Sequence, residues 1–306
     1  MSKSIDFTGG RNYIISLDKE TQVESVRKAL DGVFVNSTGT NAGKPANTSV
    51  IALGTDGKTI RVSTNWNIES NSPTVDDEAE TKLFNALKKA NIVTQQSEKD
   101  FKDPDKREGG SIVSSTKVGP SIASDITNKA IFSVIVALIA IFLYILIRFR
   151  NVAFSIGSIV ALAFDTLIVI GFFSALWGIV PFSLEIDQTF IGAILTVIGY
   201  SINDKVVVFD RVRENLRLFK KRDTQTVFND SLNQTLARTI NTSVSTLIVL
   251  LCIFIFGGDS IRSFSFAMIL GVVFGTLSSI FIAAPTAYLT MGRKINEAAV
   301  AEKKKA

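Results

Sequence analysis

The chain has 306 residues, with 33 Lys and Arg against 28 Asp and Glu, one cysteine and no histidine. The net charge of +5 is mild and uninformative until the charges are placed, no nucleic-acid partner is expected, the lone Cys252 excludes an intrachain disulfide, and proton chemistry must use carboxylates, lysine, tyrosine or water. A hydrophobic fraction of 46% and a mean hydropathy of +0.30 average two unlike halves: residues up to about Asp125 are polar, and the rest are mostly apolar.

The polar half reads as alternating strands and helices. Arg11 to Ser16 is a strand, and Thr21 to Leu30 carries Val23, Val26 and Leu30 at helical spacing. Val33 to Ser37 reads as a further strand, and Asn36 to Asn47 as a loop. Ser49 to Leu53 and Thr59 to Thr64 flank Asp56-Gly57, a hairpin signal. Asp77 to Ala90 is a helix with acids in its first turn, Gln95 to Gly110 a charged loop, and Ser111 to Val118 a last strand. The order βαββαβ predicts a small ferredoxin-like α+β domain. Gly39 to Pro45 resembles a phosphate loop but is one residue short and has Pro after Lys44, so nucleotide binding is not expected.

Five apolar runs follow: Ala130 to Ile147, Val152 to Val180, Phe190 to Phe209, Ile240 to Phe256, and Phe264 to Leu289. Each reaches or approaches the roughly 20 residues that a helix needs to cross a bilayer. Lys and Arg follow the first, third and fifth runs, at Arg148 and Arg150, at Arg211 to Arg222, and at Arg293 to Lys305. Those ends are therefore expected in the cytoplasm, with the α+β domain on the opposite side. Met1 to Gly10 lacks the apolar core of a signal peptide, so a chain cut from a longer protein, or lacking a first span, is expected. Gly271 and Gly275 form a GxxxG pattern and are read as helix packing.

Charges inside the third run carry the functional reading. Asn203, Asp204 and Lys205 interrupt it, and a charge at membrane depth costs a few kcal/mol or more. Asp204 lies about 22 Å along the helix at 1.5 Å per residue. Arg238, at the head of the fourth run, is the expected partner of Asp204. An acid caught between burial and a cation can bind and release a proton as helices move; a static ion pair that orders two helix ends is the competing reading. Lys205 points about 100° from Asp204, so the two need not pair, and it could equally reach the interface. Asn203 either joins a relay or bonds a neighbouring helix, with Gly199 and Ser201 loosening the helix before it. Asp165, mid-way along the second run, must be protonated or paired. Thr242, with Thr239, Ser243 and Thr246, either bonds its own backbone or offers water sites near Arg238. Asp210, Arg211, Arg213 and Glu214 read as the start of a solvated helix.

Seven blocks, in order, resemble the SecF family of bacterial protein-export factors: IDFTGG at Ile5, VGPSI at Val118, GYSIND at Gly199, VFDRVREN at Val208, SLNQTLARTINTS at Ser231, FGG at Phe256, and GTLSSIFIAAP at Gly275. The resemblance implies an α-helical integral membrane protein of the bacterial inner membrane, with an RND-like helix bundle and a small ferredoxin-like α+β extracytoplasmic domain. It divides the chain into a periplasmic domain at 1–118, a transmembrane domain of five helices at 119–292 that lacks the family's first span, and a basic cytoplasmic tail at 293–306. It implies pairing with SecD, separate or fused, association with the SecYEG channel and with YajC and YidC, and action on unfolded preproteins within membrane lipids. It implies an accessory, non-enzymatic role that uses the proton motive force after the ATP-driven step. No cofactor beyond the ion gradient is expected, and the residues leave sodium open beside protons. In the family the acid of the GYSIND block and the arginine of the RTINTS block matter for proton movement; here they are Asp204 and Arg238. Lys205 stands where a small residue such as Thr is expected, and Phe164 precedes Asp165 where His is usual, which weakens the case for a relay through Asp165. The alternative is an RND-type efflux or lipid transporter, against which the small external domain argues. No nucleophile–base set, metal-ligand cluster or phosphate loop is legible.

Overall fold

Alternation along β1 (Gly10–Ser16) places Tyr13 and Ile15 on one face, both fully buried. In this computed structural model, residues 4–292 are described, apart from 39, 40, 54–56, 71, 73, 178, 181 and 183. They fall into two compact units: Met1–Ala130 with Leu176–Thr189 and Ile255–Ser263, and Ile131–Ala175 with Phe190–Phe254 and Phe264–Ala306. The basic tail at 293–306 and Asp56 of the hairpin turn lie outside the described residues.

In the first unit β1 is joined by β2 (Thr48–Leu53), β3 (Thr59–Thr64) and β4 (Ser111–Val118) in the order β2-β3-β1-β4, each neighbouring pair antiparallel. This is the split arrangement of a ferredoxin-like sheet. Register puts Tyr13 opposite Val62 and Ile15 opposite Ile60. Two helices, α2 (Val23–Leu30) and α3 (Thr74–Lys89), cover that face with Val26, Leu30, Ala79, Leu83 and Leu87. Each fully buried aliphatic side chain contributes about 1.5–3 kcal/mol. Arg11 is buried on the same face because its Nε donates to Asp76 Oδ1 at 2.5 Å and its Nη1 to the Trp66 carbonyl at 2.7 Å. Burial opposes ionisation of Asp76, but bonds and charge from Arg11, and then Lys117, outweigh it and hold that carboxyl below its ordinary range.

Two expectations for this unit are corrected. Val33 to Ser37 is not a strand. It makes one isolated bridge, Val35 to Pro45, and Asn36 spends its backbone groups on a tight loop with Gly43 and Lys44. The segment between Gln95 and Gly110 contains a one-turn helix, α4 (Glu98–Phe101), capped by Ser97 and anchored where Phe101 packs on Phe84.

Ahead of β1, the one-turn helix α1 (Ile5–Thr8) and its N-cap Ser4 hold a distant segment by two hydrogen bonds. The Ser4 amide donates to the Ile186 carbonyl at 2.9 Å, and the Gln188 amide to Asp6 Oδ2 at 3.4 Å. Just before them in the chain, Glu185 hydrogen-bonds Ser49 of β2 and feels Arg61, Asp187 and Arg27. Burial is the dominant influence and pushes its carboxyl above the ordinary value.

Among the described residues, five helices are long and apolar enough to cross a membrane: α5 (Pro120–Phe149), α6 (Val152–Leu176), α7 (Gln188–Leu218), α8 (Thr224–Phe256), and α9 (Asp259–Ser278) with its continuation to Gly292. Pro120 opens α5 at the first helical position, where its missing N–H costs nothing. Ile131, Phe132, Ile139 and Ile147 of α5 stay exposed, which suits hydrocarbon and not water. On α6, Gly157, Ala161, Asp165, Val169 and Phe173 fall four apart and are buried, one stripe facing the bundle. On α7, Phe190, Ile194, Val197, Ser201, Asp204, Val208, Val212 and Asn215 recur at spacings of three and four. Helix α7 is unbroken across Gly199 and Ser201, so the expected loosening there is not found. Asp210, Arg211, Arg213 and Glu214 likewise belong to its last turns and do not begin a new helix.

Small residues let these helices close. A Cβ on Gly271 would meet Val197 Cγ2 at 2.0 Å, and one on Gly275 would meet Ser201 Oγ at 2.8 Å, so the GxxxG face packs on α7. Helix α9 widens into a π turn at Ser279–Ala283. Gly157 of α6 sits against that turn: an added Cβ would lie 2.5 Å from the Ala283 carbonyl oxygen.

Candidate functional site

Lys205 and Asp165 form an ion pair inside the second unit, Nζ to Oδ2 at 3.1 Å, with both side chains 0% exposed. Their positions follow from the stripes: Asp165 is on the buried line of α6, and Lys205 lies one turn after Ser201 on α7. An ammonium has three N–H groups to satisfy. Asp165 Oδ2 takes one, Ser201 Oγ takes another, and Ser278 Oγ of α9 accepts at 3.1 Å. Ser201 Oγ in turn donates to Asp165 Oδ2 at 2.7 Å, and Ser278 Oγ to the Gly275 carbonyl at 3.1 Å. Every hydroxyl therefore has both roles filled. The ammonium and both hydroxyls are satisfied, whereas the second oxygen of the acid, Asp165 Oδ1, is buried without a hydrogen-bond partner among the described residues; removing one partner of such a buried pair costs about 3–5 kcal/mol.

This arrangement corrects the expectation for Lys205. It does not run to the interface, because a carboxylate and two hydroxyls from three helices surround it in the bundle. It also answers the requirement that Asp165 be protonated or paired: Asp165 is paired, from a residue 40 positions away.

Asp204, the neighbour of Lys205, faces elsewhere. It is 3% exposed, and its Oδ2 has no hydrogen-bond partner among the described residues. Lys205 and Arg238 both act on it electrostatically. The expected Asp204–Arg238 ion pair is not formed among the described residues, and the reason lies in α8. The buried stripe of that helix is Val227, Ser231, Thr235, Thr239 and Ser243, four apart, and Arg238 is one position off it. Arg238 is therefore exposed, as are Asn203 of α7 and Asn241 of α8. Thr242 Oγ1 donates to the Arg238 carbonyl at 2.9 Å, so it takes the backbone-bonding option. Thr239 is buried with its hydroxyl unpartnered among the described residues, and Ser243 meets Thr276 of α9 at 2.5 Å.

Sequence reasoning missed Ser201 and Ser278 as the partners of the lysine. The serine one turn before Lys205 was a usable signal, whereas Ser278 is brought in only by packing of α9. It also missed Asn215, whose Nδ2 ties α7 to Ser231 at 2.8 Å and Gln234 at 3.0 Å on α8. Near it, Arg148 of α5 pairs with Asp210 of α7 at 3.0 Å.

A ferredoxin-like domain joined in one chain to five apolar helices, with a charged cluster buried among them, defines a multi-pass membrane protein. Comparison with known proteins gives its family. The description "Protein export membrane protein SecD/SecF, C-terminal" matches residues 96–293. The protein translocase subunit SecF of Rhodothermus marinus is 43% identical over 281 residues, 92% of this chain and 80% of that one. SecF of Haemophilus influenzae is 47% identical over 171 residues, 56% of this chain and 50% of that one. The solved structure of SecDF, a translocon-associated membrane protein from Thermus thermophilus, matches with a TM-score of 0.70 at 30% identity, covering 95% of this chain and 34% of that one. A second SecDF structure, in a super-membrane-facing form, matches with a TM-score of 0.64 at 30% identity. The chain belongs to the SecD/SecF family of protein-export membrane proteins, and it spans about a third of the SecDF chains it matches.

Proposed function

We propose that the chain works as the SecF-type subunit of the protein translocase. With SecD, separate or fused, it uses the proton motive force to promote movement and release of preproteins across the bacterial cytoplasmic membrane after the ATP-driven step. The role is transport and not bond-making catalysis. The observation that carries this reading is Asp204: an acid buried in an unbroken spanning helix, with one oxygen unpartnered among the described residues and Arg238 within electrostatic reach. Such a group can exchange a proton when Arg238 approaches or withdraws. Asp204 and Arg238 are the coupling pair, and Asn203 and Thr242 flank them.

Exposed polar groups support SecD as the neighbour. Asn203, Arg238 and Asn241 lie on the outer surface of spanning helices, where hydrocarbon would leave them unsatisfied and a protein surface would not. The SecYEG channel, YajC and YidC are the further partners, and the unfolded preprotein is the substrate. The α+β domain faces the periplasm and the tail at 293–306 the cytoplasm, in keeping with the Lys and Arg distribution.

The test is preprotein export by membranes carrying the full SecD–SecF unit at limiting ATP. Asp204→Asn and Arg238→Ala are each expected to drop export to the level seen with the gradient collapsed, at unchanged protein amount. Normal gradient-stimulated export by either variant would refute the assignment.

A further inference from the structure

The oxygen cage around Lys205 has a consequence for cation binding. Asp165 Oδ2, Ser201 Oγ and Ser278 Oγ converge on one ammonium nitrogen, with the Ser201 carbonyl further off at 3.5 Å. One carboxylate and neutral oxygens around a single positive centre, closed from solvent, are hard donors that suit a hard cation, and their single negative charge matches a cation of charge +1. The cage is built by packing, not by the lysine alone. Gly275 lets α9 approach Ser201, the π turn begins directly after Ser278, and Gly157 seats α6 against that turn. The hydroxyls are also oriented independently of Lys205, since Ser201 donates to Asp165 and Ser278 to the Gly275 carbonyl.

We propose that Asp165, Ser201 and Ser278 form a monovalent-cation site that this chain fills permanently with its own Lys205 ammonium. The tethered charge commits Asp165 to a fixed pair and shuts free cations out of the bundle at this point. Each acid has one oxygen unpartnered among the described residues, Asp165 Oδ1 and Asp204 Oδ2, but Asp165 is tied to an ammonium through its other oxygen, which leaves Asp204, one residue along, as the acid free to exchange an ion. The cage itself stands apart from the proton-coupling assignment, because its occupancy is read without any transport assay.

The experiment removes the tether and supplies the ion. The full chain carrying Lys205→Ala is purified in detergent, and its thermal unfolding is compared in ammonium, potassium, sodium and choline chloride at equal ionic strength. A site that binds the native state alone raises the folded-to-unfolded ratio about tenfold at a cation concentration ten times its dissociation constant. Lys205→Ala is expected to be stabilised by ammonium or potassium relative to choline, while the wild type is indifferent to the salt. Adding Asp165→Asn is expected to abolish the response. Asp165→Asn with Lys205→Met, a neutral pair of similar bulk, is the folded control and is expected to ignore the cations. Equal unfolding of Lys205→Ala in all four salts would overturn the proposal, as would a response that survives Asp165→Asn. Failure of Lys205→Ala to fold in every salt, while the neutral pair folds, would overturn it too, since a competent cage would have been filled.

Discussion

Glu185 is a carboxylate whose surroundings favour the protonated form, and its position gives that preference a mechanical meaning. It lies directly before the residues held by the Ser4–Ile186 and Asp6–Gln188 bonds, three residues ahead of the start of α7. Burial raises its pKa from the ordinary 4.5 despite the Ser49 bond and the charges of Arg61 and Arg27, with Asp187 acting in the same sense as burial. An acid raised in the folded state binds more protons there than in the open state. Its hold is therefore strongest at low pH and weakens as pH rises from the ordinary value through the raised one. Glu185→Gln removes the dependence. At pH 7 the variant is expected to slow hydrogen exchange at the Ser4 and Gln188 amides, and at pH 4 to match the wild type. Equal exchange at both pH values would show that the carboxylate is accommodated without cost. The chemistry of Glu185 was not legible in the sequence, where it is one acid in a short polar loop. Ser49 and Arg61, which define its surroundings, come from strands more than a hundred residues earlier.

At the scale of elements, helix identity was legible and helix pairing was not. Apolar length marks all five spans, and a three-four repeat marks the buried stripe of α7, so Asp204 could be recognised as buried from its own helix. Lys205 could not be matched to Asp165, nor Arg238 to the exposed side of α8, because rotation of one helix against another is set by close contacts elsewhere. Gly157 and Gly271 are two such contacts. Gly157→Ala would drive a methyl into a backbone carbonyl, and Gly271→Ala would drive one into Val197. Overpacking of this kind typically costs about 1–3 kcal/mol. Both variants are expected to lower the thermal midpoint of the purified chain, Gly157→Ala more, since a backbone oxygen yields less readily than a valine side chain. An unchanged midpoint for Gly157→Ala would show that α6 and the π turn can part at no cost. The α+β domain was legible in its four strands and two long helices. The misread strand at Val33 to Ser37 has strand-like composition, but its backbone groups are taken by the adjoining loop.

For the whole molecule, the contrast is between two adjacent buried residues of one helix. Helix α7 turns Lys205 toward α6 and α9, where the charge is locked, and leaves Asp204 with no hydrogen bond to its Oδ2 among the described residues. A protein that couples ion flow to movement of a polypeptide needs one acid that changes state and surroundings that do not collapse when it does. Under the proposed function, the Asp165–Lys205 knot would supply the second, and Asp204 with Arg238 the first. The most direct measurement is proton flux through membranes carrying the full SecD–SecF unit, with an unfolded preprotein on the outer face. The account predicts that Asp204→Asn abolishes the flux while Asp165→Asn with Lys205→Met retains it, both at wild-type protein levels. Undiminished flux in Asp204→Asn would contradict the account and make Asp204 and Arg238 a static feature of the bundle.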